Sequence, residues 1–290
     1  MKQIKFKKKF IIGSANFAHK YGINLVKVNQ KEIDDIIKLA KKNKIYKIDT
    51  AKAYLGNKKI FKNINKNFKF ITKIKPDPKW ISLEFCKKKL LSHFKMINNN
   101  EVETILFHDF RVLLTQHGDQ IFKNLEFLKK KKYFKKIGLS IYDSKHLNYI
   151  ISNYNIDVIQ CPFNVFDRRI LTSGWYDKLK NLNKEIHIRS IFLQGLLINR
   201  SIYKNKYFLK WNKILTEWFN FLEKKNISPI DYCLNYSMNY DFDAIVIGIN
   251  SSKNLKEIIN FKSISRNRMK NFEMTDTKLI DPRNWKKYEN

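Results

Sequence analysis

The chain has 290 residues, 43% of them hydrophobic and 14% aromatic, with only 8 Gly and 5 Pro. That apolar content can bury a large core and excludes a disordered, collagen-like or linker-like chain. Fifty-eight Lys and Arg against 26 Asp and Glu give a net charge of +32, which points first to a nucleic-acid or anionic-surface binder.

Two features oppose that reading. Arg, whose planar fork reads bases and phosphates, supplies only 8 of the 58 basic residues. The lysines are spread over segments of helical periodicity, as at Lys38 to Lys42, Lys87 to Lys89 and Lys129 to Lys132, and are not gathered on one arm. The expectation is a solvated surface with no specific nucleic-acid partner. No run of 18 apolar residues exists, so no membrane-spanning helix is expected. The basic start MKQIKFKKKF reaches Gly13 and Asn16 too soon for a signal-peptide core. Cys86, Cys161 and Cys233 are odd in number and lie far apart, so neither a disulfide framework nor a metal site is expected, and a cytoplasmic location is the default.

Short apolar or β-branched runs alternate with longer stretches of helical periodicity. The runs are Phe10 to Ile12, Tyr46 to Ile48, Phe70 to Thr72, Val102 to Phe107, Ile137 to Leu139, Val158-Ile159, Ile186 to Ile188 and Ala244 to Ile247. Between them the spacing predicts helices over Gln30 to Lys42, Leu83 to Phe94, Gln120 to Lys131, Ser144 to Ser152, Ile170 to Leu182, Trp211 to Lys224 and Lys253 to Asn260. In the first of these, Ile33, Ile36, Ile37 and Ala40 form an i, i+3, i+4, i+7 stripe. Asn29 and Ser144 are the expected N-caps. Strands joined by helices must pair in parallel, and eight such units predict an α/β fold, a closed (β/α)₈ TIM barrel in a single domain over 1–290. The barrel core is expected at about 8–262, with a C-terminal tail over 263–290. A doubly wound open sheet is the alternative, disfavoured because no G-x-G-x-x-G turn follows the first strand.

Chemistry in such a barrel sits at the C-terminal strand ends. Read in order, the residues just past the runs are Asp49, Lys73, His108, Ser140, Gln160 and Arg189-Ser190, and the eighth run opens into Gly248-Ile249-Asn250-Ser251. Six successive strands thus end in a polar or ionisable residue, and all of these would face one pocket. His93, His117 and His146 share no ligand spacing and are read as surface or packing residues.

The stretch Asp49-Thr50-Ala51-Lys52-Ala53-Tyr54, then Thr72-Lys73, then Leu106-Phe107-His108-Asp109, resembles the aldo-keto reductases. Further likenesses follow in order along most of the chain. They are Gly13 to Phe17 with Tyr21-Gly22, Gly138-Leu139-Ser140, Gln160 to Asn164, Ser190 to Leu197, and Val246-Ile247-Gly248 with Leu255. The resemblance implies hydride transfer between a nicotinamide cofactor and the carbonyl or alcohol of a small molecule. By it, Asp49, Tyr54, Lys73 and His108 form the catalytic tetrad. Tyr54 would donate the proton, Lys73 would lower its pKa, Asp49 would be the counter-ion of Lys73, and His108 would orient the carbonyl. Ser140 and Gln160 would hold the nicotinamide carboxamide. Ser190, Gly195, Leu196, Gly248, Asn250, Ser252 and Lys253 are the expected phosphate and ribose contacts.

Three positions depart from the family pattern. The run after the tyrosine is Leu55-Gly56-Asn57-Lys58-Lys59, Ile141 replaces an Asn, and Arg189 stands where an aromatic usually backs the nicotinamide. Arg189 therefore joins the cofactor-binding candidates as a stacking guanidinium. NADP is the expected cofactor and NAD the alternative, since no basic clamp for the 2′-phosphate is identifiable. The first loop (Ala15 to Val28), the segment from Trp80 onward, and Asn199 to Trp211 with Tyr203, Tyr207, Phe208 and Trp211 are expected to line the mouth. The Arg-Ser-x-Phe-Leu-Gln-Gly-Leu-Leu segment resembles relatives tied to surface-sugar metabolism, which implies a sugar-derived aldehyde or ketone. The rival functions are a cofactor-binding sensor or accessory subunit, which has no need of Tyr54, and a basic nucleic-acid binder. No feature of the sequence sets an oligomeric state.

Overall fold

The structure is a computed structural model that describes residues 6–18, 20, 22–23, 27–55, 60–61, 64, 67–97, 101–202 and 205–288. Eight parallel strands run in chain order around a closed barrel. They are β1 (Phe10–Gly13), β2 (Lys47–Ala51), β3 (Lys69–Ile74), β4 (Val102–Phe107), β5 (Lys136–Ser140), β6 (Val158–Pro162), β7 (Glu185–Arg189) and β8 (Ala244–Gly248). Closure comes from β1 pairing with β8 through Phe10–Ile245 to Gly13–Gly248. Every expected strand is present, because an apolar run buried on both faces is what a parallel barrel needs.

The longer helices are α1 (Gln30–Lys42), α2 (Leu83–Met96), α3 (Gly118–Lys130), α4 (Leu147–Asn153), α5 (Trp175–Asn181), α6 (Asn212–Lys224), α7 (Pro229–Met238) and α8 (Ser252–Ile259). In α1 the predicted stripe Ile33, Ile36, Ile37 and Ala40 is buried, and Asn29 accepts the Glu32 N–H at 2.9 Å as its cap. The Ser144 cap is corrected: α4 begins at Leu147, behind His146 in a left-handed conformation. The single helix expected over Ile170 to Leu182 is also corrected. It is split into Arg169–Thr172 and α5 by Gly174, whose φ of +73° ends one helical run before the next begins. Helix α7 was not anticipated, although Pro229 at its first turn after Ser228 is a helix-start signal.

The barrel interior is filled in layers. Ile11, Ile71, Leu106, Val158 and Val246 belong to a small apolar cluster separate from the main core between barrel and helices. Two residues further along each strand, on the same face by the two-residue strand period, come Gly13, Lys73, His108, Gln160 and Gly248. The polar site is therefore the layer stacked directly on the apolar filling. The opposite, N-terminal strand ends carry ion pairs such as Lys47–Glu103 at 2.6 Å and Lys136–Glu185 at 2.5 Å, which anchor the floor.

The C-terminal segment folds back on the barrel. The Met274 N–H donates to Phe166 O at 2.8 Å, and Trp285 is buried with its ring 5.0 Å from Phe208. Tyr207 donates to Lys278 O and Trp211 to Asp276, at 2.8 and 3.0 Å. Tyr207, Phe208 and Trp211 thus pack a loop onto this tail and do not line the mouth, while Tyr203 lies outside the described residues, as do Tyr21 and Gly56 to Lys59. Trp80 likewise packs inward, its carbonyl accepting from Asn124 at 2.9 Å. Among the described residues no helix is long and apolar enough to cross a membrane.

Candidate active site

A cavity of about 430 Å³ opens at the C-terminal strand ends and is walled by the residues that end β2, β3, β4, β5 and β7. Its base is a buried ion pair. Lys73 Nζ, from β3, donates to Asp49 Oδ1 on the adjacent β2, and both residues are about 4% exposed. A lysine this deep is costly to bury alone, so the Asp49 charge is what holds it there. The other carboxylate oxygen, Oδ2, accepts from Gln160 Nε2 at 2.8 Å.

Tyr54 stands over this pair on the one-turn helix Lys52–Leu55 that follows β2. Lys73 Nζ lies 5.6 Å from its ring centroid, and the His108 ring sits 6.2 Å away, edge-on at 82°. His108 is positioned by its own backbone N–H donating to Ile74 O at 2.8 Å. Asp49, Tyr54, Lys73 and His108 therefore all face one cavity.

The electrostatics differ from expectation in one respect. Burial raises the Tyr54 phenol above its ordinary value, the Asp49 charge raises it further, and the cation that opposes the rise is Arg189. Lys73 is itself lowered, first by burial and against the pull of Asp49. The positive charge of Lys73 is directed to Asp49, and Tyr54 remains a protonated phenol through neutral pH. Burial, together with the Lys73 and Arg189 charges, lowers His108, so it is a neutral imidazole there.

Ser140, Arg189, Ser190, Gly195, Gly248 and Asn250 border the same cavity. Gln160 does not: it is fully buried behind the wall, its oxygen accepting from Ser140 Oγ at 3.4 Å while its nitrogen serves Asp49. Leu196 is buried outside the lining. Ser252 and Lys253 are also off the cavity. The Ser252 N–H is taken by the Glu32 carboxylate of α1, and Lys253 faces an outer groove with Asp231 and Glu257. With the Asn254 N–H given to Ser251 Oγ at 3.0 Å, the first turn of α8 already serves the chain's own acceptors.

Asn16 and Asn199, from two of the segments expected at the mouth, do line the cavity, whereas Tyr142 and Asn254 are lining residues that sequence reasoning missed. Asn16 donates to Ile249 O and Asn250 Oδ1 at 2.8 and 2.7 Å, tying the β1 and β8 ends together. Tyr142 follows Ile141 directly, and its place beyond the β5 end was the available signal. The wall after β7 is conformationally strained. Ser190, Leu193 and Gln194 have φ values of 62°, 45° and 52°, and Gly195 shares the left-handed region. Asn164 braces this turn by donating to Ser190 O at 3.1 Å. Among the described residues no His, Cys, Asp and Glu cluster could hold a metal ion.

No functionally curated protein matches the sequence. The chain is similar in fold to the glycerol dehydrogenase AKR11B4 from Gluconobacter oxydans, with 15% identity, 90% of this chain and 88% of that chain covered, and a TM-score of 0.68. It is also similar to the holo form of the aldo-keto reductase AKR11C1 from Bacillus halodurans, at 14% identity, coverage of 97% and 95%, and a TM-score of 0.71. At such identities the likeness speaks for the barrel alone. The aldo/keto reductase family pattern itself matches residues 9–277, from β1 through the strand-end residues to the tail. A polar layer built on a closed barrel and spanned by that match makes this chain a member of the aldo/keto reductase family, an NAD(P)H-dependent oxidoreductase.

Proposed function

We propose that the protein reduces a small aldehyde or ketone, with sugar-derived compounds as the favoured class, using NADPH in preference to NADH. The observation that carries this reading is the convergence of Tyr54 and His108 over the buried Lys73–Asp49 pair at the cavity floor. When bound, the cofactor supplies the hydride; the chain supplies the remaining parts.

As negative charge grows on the carbonyl oxygen, a proton must reach it from within hydrogen-bond range. Tyr54 is the donor in this reading, since its raised pKa keeps the proton in place until an oxyanion develops. Neutral His108 donates a hydrogen bond to the same oxygen and orients it, and does not compete as an acid. Asp49 and Lys73 keep a cation beneath the phenol, which stabilises the phenolate left after transfer. Lys73 cannot drift, because both oxygens of its counter-ion are engaged.

The chemistry of the walls fits a nicotinamide group, with Ser140 Oγ and the Ser190 to Gly195 turn beside the tetrad. Glu32 occupies the helix start at Ser252, so a 2′-phosphate held there would have to displace or sit beside its carboxylate. Asn16, Asn199 and Asn250 give the mouth a polar lining suited to hydroxylated substrates.

The test is NADPH and NADH titration by quenching of tryptophan fluorescence, followed by cofactor oxidation across an aldehyde panel. Wild type is expected to bind and turn over, and Tyr54→Phe to bind without turning over. Binding without turnover by both proteins would overturn the reductase reading in favour of a cofactor sensor.

A further inference from the structure

Two guanidinium groups pack on the Tyr142 ring. Arg283, from the C-terminal tail, lies 3.7 Å from the ring centroid, and Arg189, from the end of β7, lies 4.1 Å from it. Their partners differ. Arg283 donates from Nε and Nη2 to both oxygens of the buried Asp281, at 3.0 and 2.6 Å. Arg189 is held by neutral groups: Nη2 donates to Ile141 O at 3.1 Å and Nη1 to Ser190 Oγ at 3.4 Å. Among the described residues no carboxylate lies within ion-pair distance of it, whereas Arg111, Arg168, Arg169, Arg200 and Arg283 each have one.

Arg189 also faces the cavity, and the charges there do not balance. Asp49 is the one carboxylate among the described lining residues, and Lys73 consumes it. Tyr54 and His108 are neutral at pH 7. A part-buried guanidinium is left as the net charge of the chamber, fixed in place by its stack and its two neutral acceptors. Its Nε–H and the second proton on each Nη have no acceptor among the described residues, and a guanidinium can give such protons to a planar anion by two parallel bonds. An uncompensated charge in such a wall is unfavourable until an opposite charge arrives.

We propose that the substrate carries an anionic group, a carboxylate or a phosphate, and that Arg189 receives it while the carbonyl sits at Tyr54 and His108. The anion is to Arg189 what Asp281 is to Arg283. This rests on the reductase reading and narrows its substrate class to acidic carbonyl compounds, acidic sugar derivatives included. Arg189 then serves the substrate with its edge, whichever ring covers its face.

The experiment compares pairs alike in shape and different in charge: 4-carboxybenzaldehyde against its methyl ester, and glyceraldehyde 3-phosphate against glyceraldehyde. Wild type is expected to favour the charged member by tenfold or more in kcat/KM in at least one pair, and the two pairs separate carboxylate from phosphate. Arg189→Gln should bring that ratio close to one by raising KM for the charged member, and Arg189→Lys should restore part of it. Added salt should lower the wild-type ratio. A second arm needs no turnover: terephthalate should bind the enzyme with oxidised cofactor, read by fluorescence, and Arg189→Gln should lose that binding by tenfold or more. A wild-type ratio of one in both pairs, or one unmoved in Arg189→Gln, would overturn the proposal. So would a tenfold loss of NADPH affinity in Arg189→Gln with the ratio intact, which would assign Arg189 to the cofactor. Terephthalate binding that depends on Arg189, with no aldehyde turned over, would sink the reductase reading and leave the anion site standing.

Discussion

Gln160 Nε2 donates to Asp49 Oδ2 across 2.8 Å, linking β6 to β2, strands that are not neighbours in the barrel. The bond fixes the rotation of the carboxylate, so that its other oxygen meets Lys73. Gln160→Leu would leave Oδ2 buried without its donor. The expected cost is about 1–3 kcal/mol in stability, read by denaturant unfolding. Displacement of Lys73 beneath Tyr54 should lower kcat on the order of ten- to a hundredfold. Were Gln160 instead a direct contact of the cofactor, the loss would appear in the Kd for NADPH and not in kcat.

Tyr54 sets the pH behaviour. Its phenol is raised above its ordinary value, so the protonated form is retained through neutral and mildly alkaline pH. Reduction needs that proton and should hold level up to about pH 10. Alcohol oxidation needs the phenolate, so its kcat/KM should climb with pH over the same range without a plateau. Tyr54→Phe should cost roughly 10²- to 10⁴-fold in both directions and remove the pH slope of oxidation. A plateau near pH 7 in wild type would mean that Lys73 depresses the phenol in spite of Asp49.

Much of this architecture is legible in the sequence, because a buried parallel strand is a short apolar run and its last residue enters the site by position alone. Asp49, Lys73, His108, Ser140 and Arg189 could be read in that way. Whether a buried amide at a strand end faces the cavity could not. Gln160 occupies the same layer as Lys73, yet its hydrogen bonds turn it to Asp49 and Ser140. Ser252 and Lys253 lie off the cavity for a related reason. Their helix start is set by a contact with Glu32, 220 residues earlier in the chain, which leaves no local trace. The place of Tyr142 just past the β5 end could be read, but its packing against Arg283 could not, since that tail residue folds back over 141 positions of sequence.

Glu32 bears on the choice between the two nicotinamide cofactors. Its carboxylate accepts the Ser252 N–H at the start of α8, and if the added phosphate lies there, as the family resemblance implies, that negative charge opposes it. The Ser252 contact also holds the Glu32 carboxyl below its ordinary value, so the charge is present throughout the physiological range. Glu32→Gln should tighten NADPH binding by a few fold, equivalent to about 1 kcal/mol, with little effect on NADH. Fluorescence titrations with both cofactors measure this, and equal changes for the two would place the added phosphate elsewhere.

Two glycines separate steric demand from conformational demand. Gly138 lies in the barrel wall, where an added Cβ would meet Val158 O at 2.3 Å, Leu106 Cδ2 at 2.7 Å and Val158 Cβ at 2.8 Å. Neither backbone nor branched side chain can yield without parting β5 from β6, two residues below Ser140. Gly174 has open space on every side, and only its φ of +73° resists a side chain. Gly138→Ala should therefore cost roughly 3 kcal/mol or more, and Gly174→Ala about 1 kcal/mol. Denaturant unfolding of the two variants checks the order. Because β5 carries Ser140 to the cavity, Gly138→Ala should also weaken NADPH binding. Gly174→Ala, on the outer helical layer, should leave it as in wild type. The reverse ranking in stability would show that the barrel wall yields more readily than a left-handed helix junction.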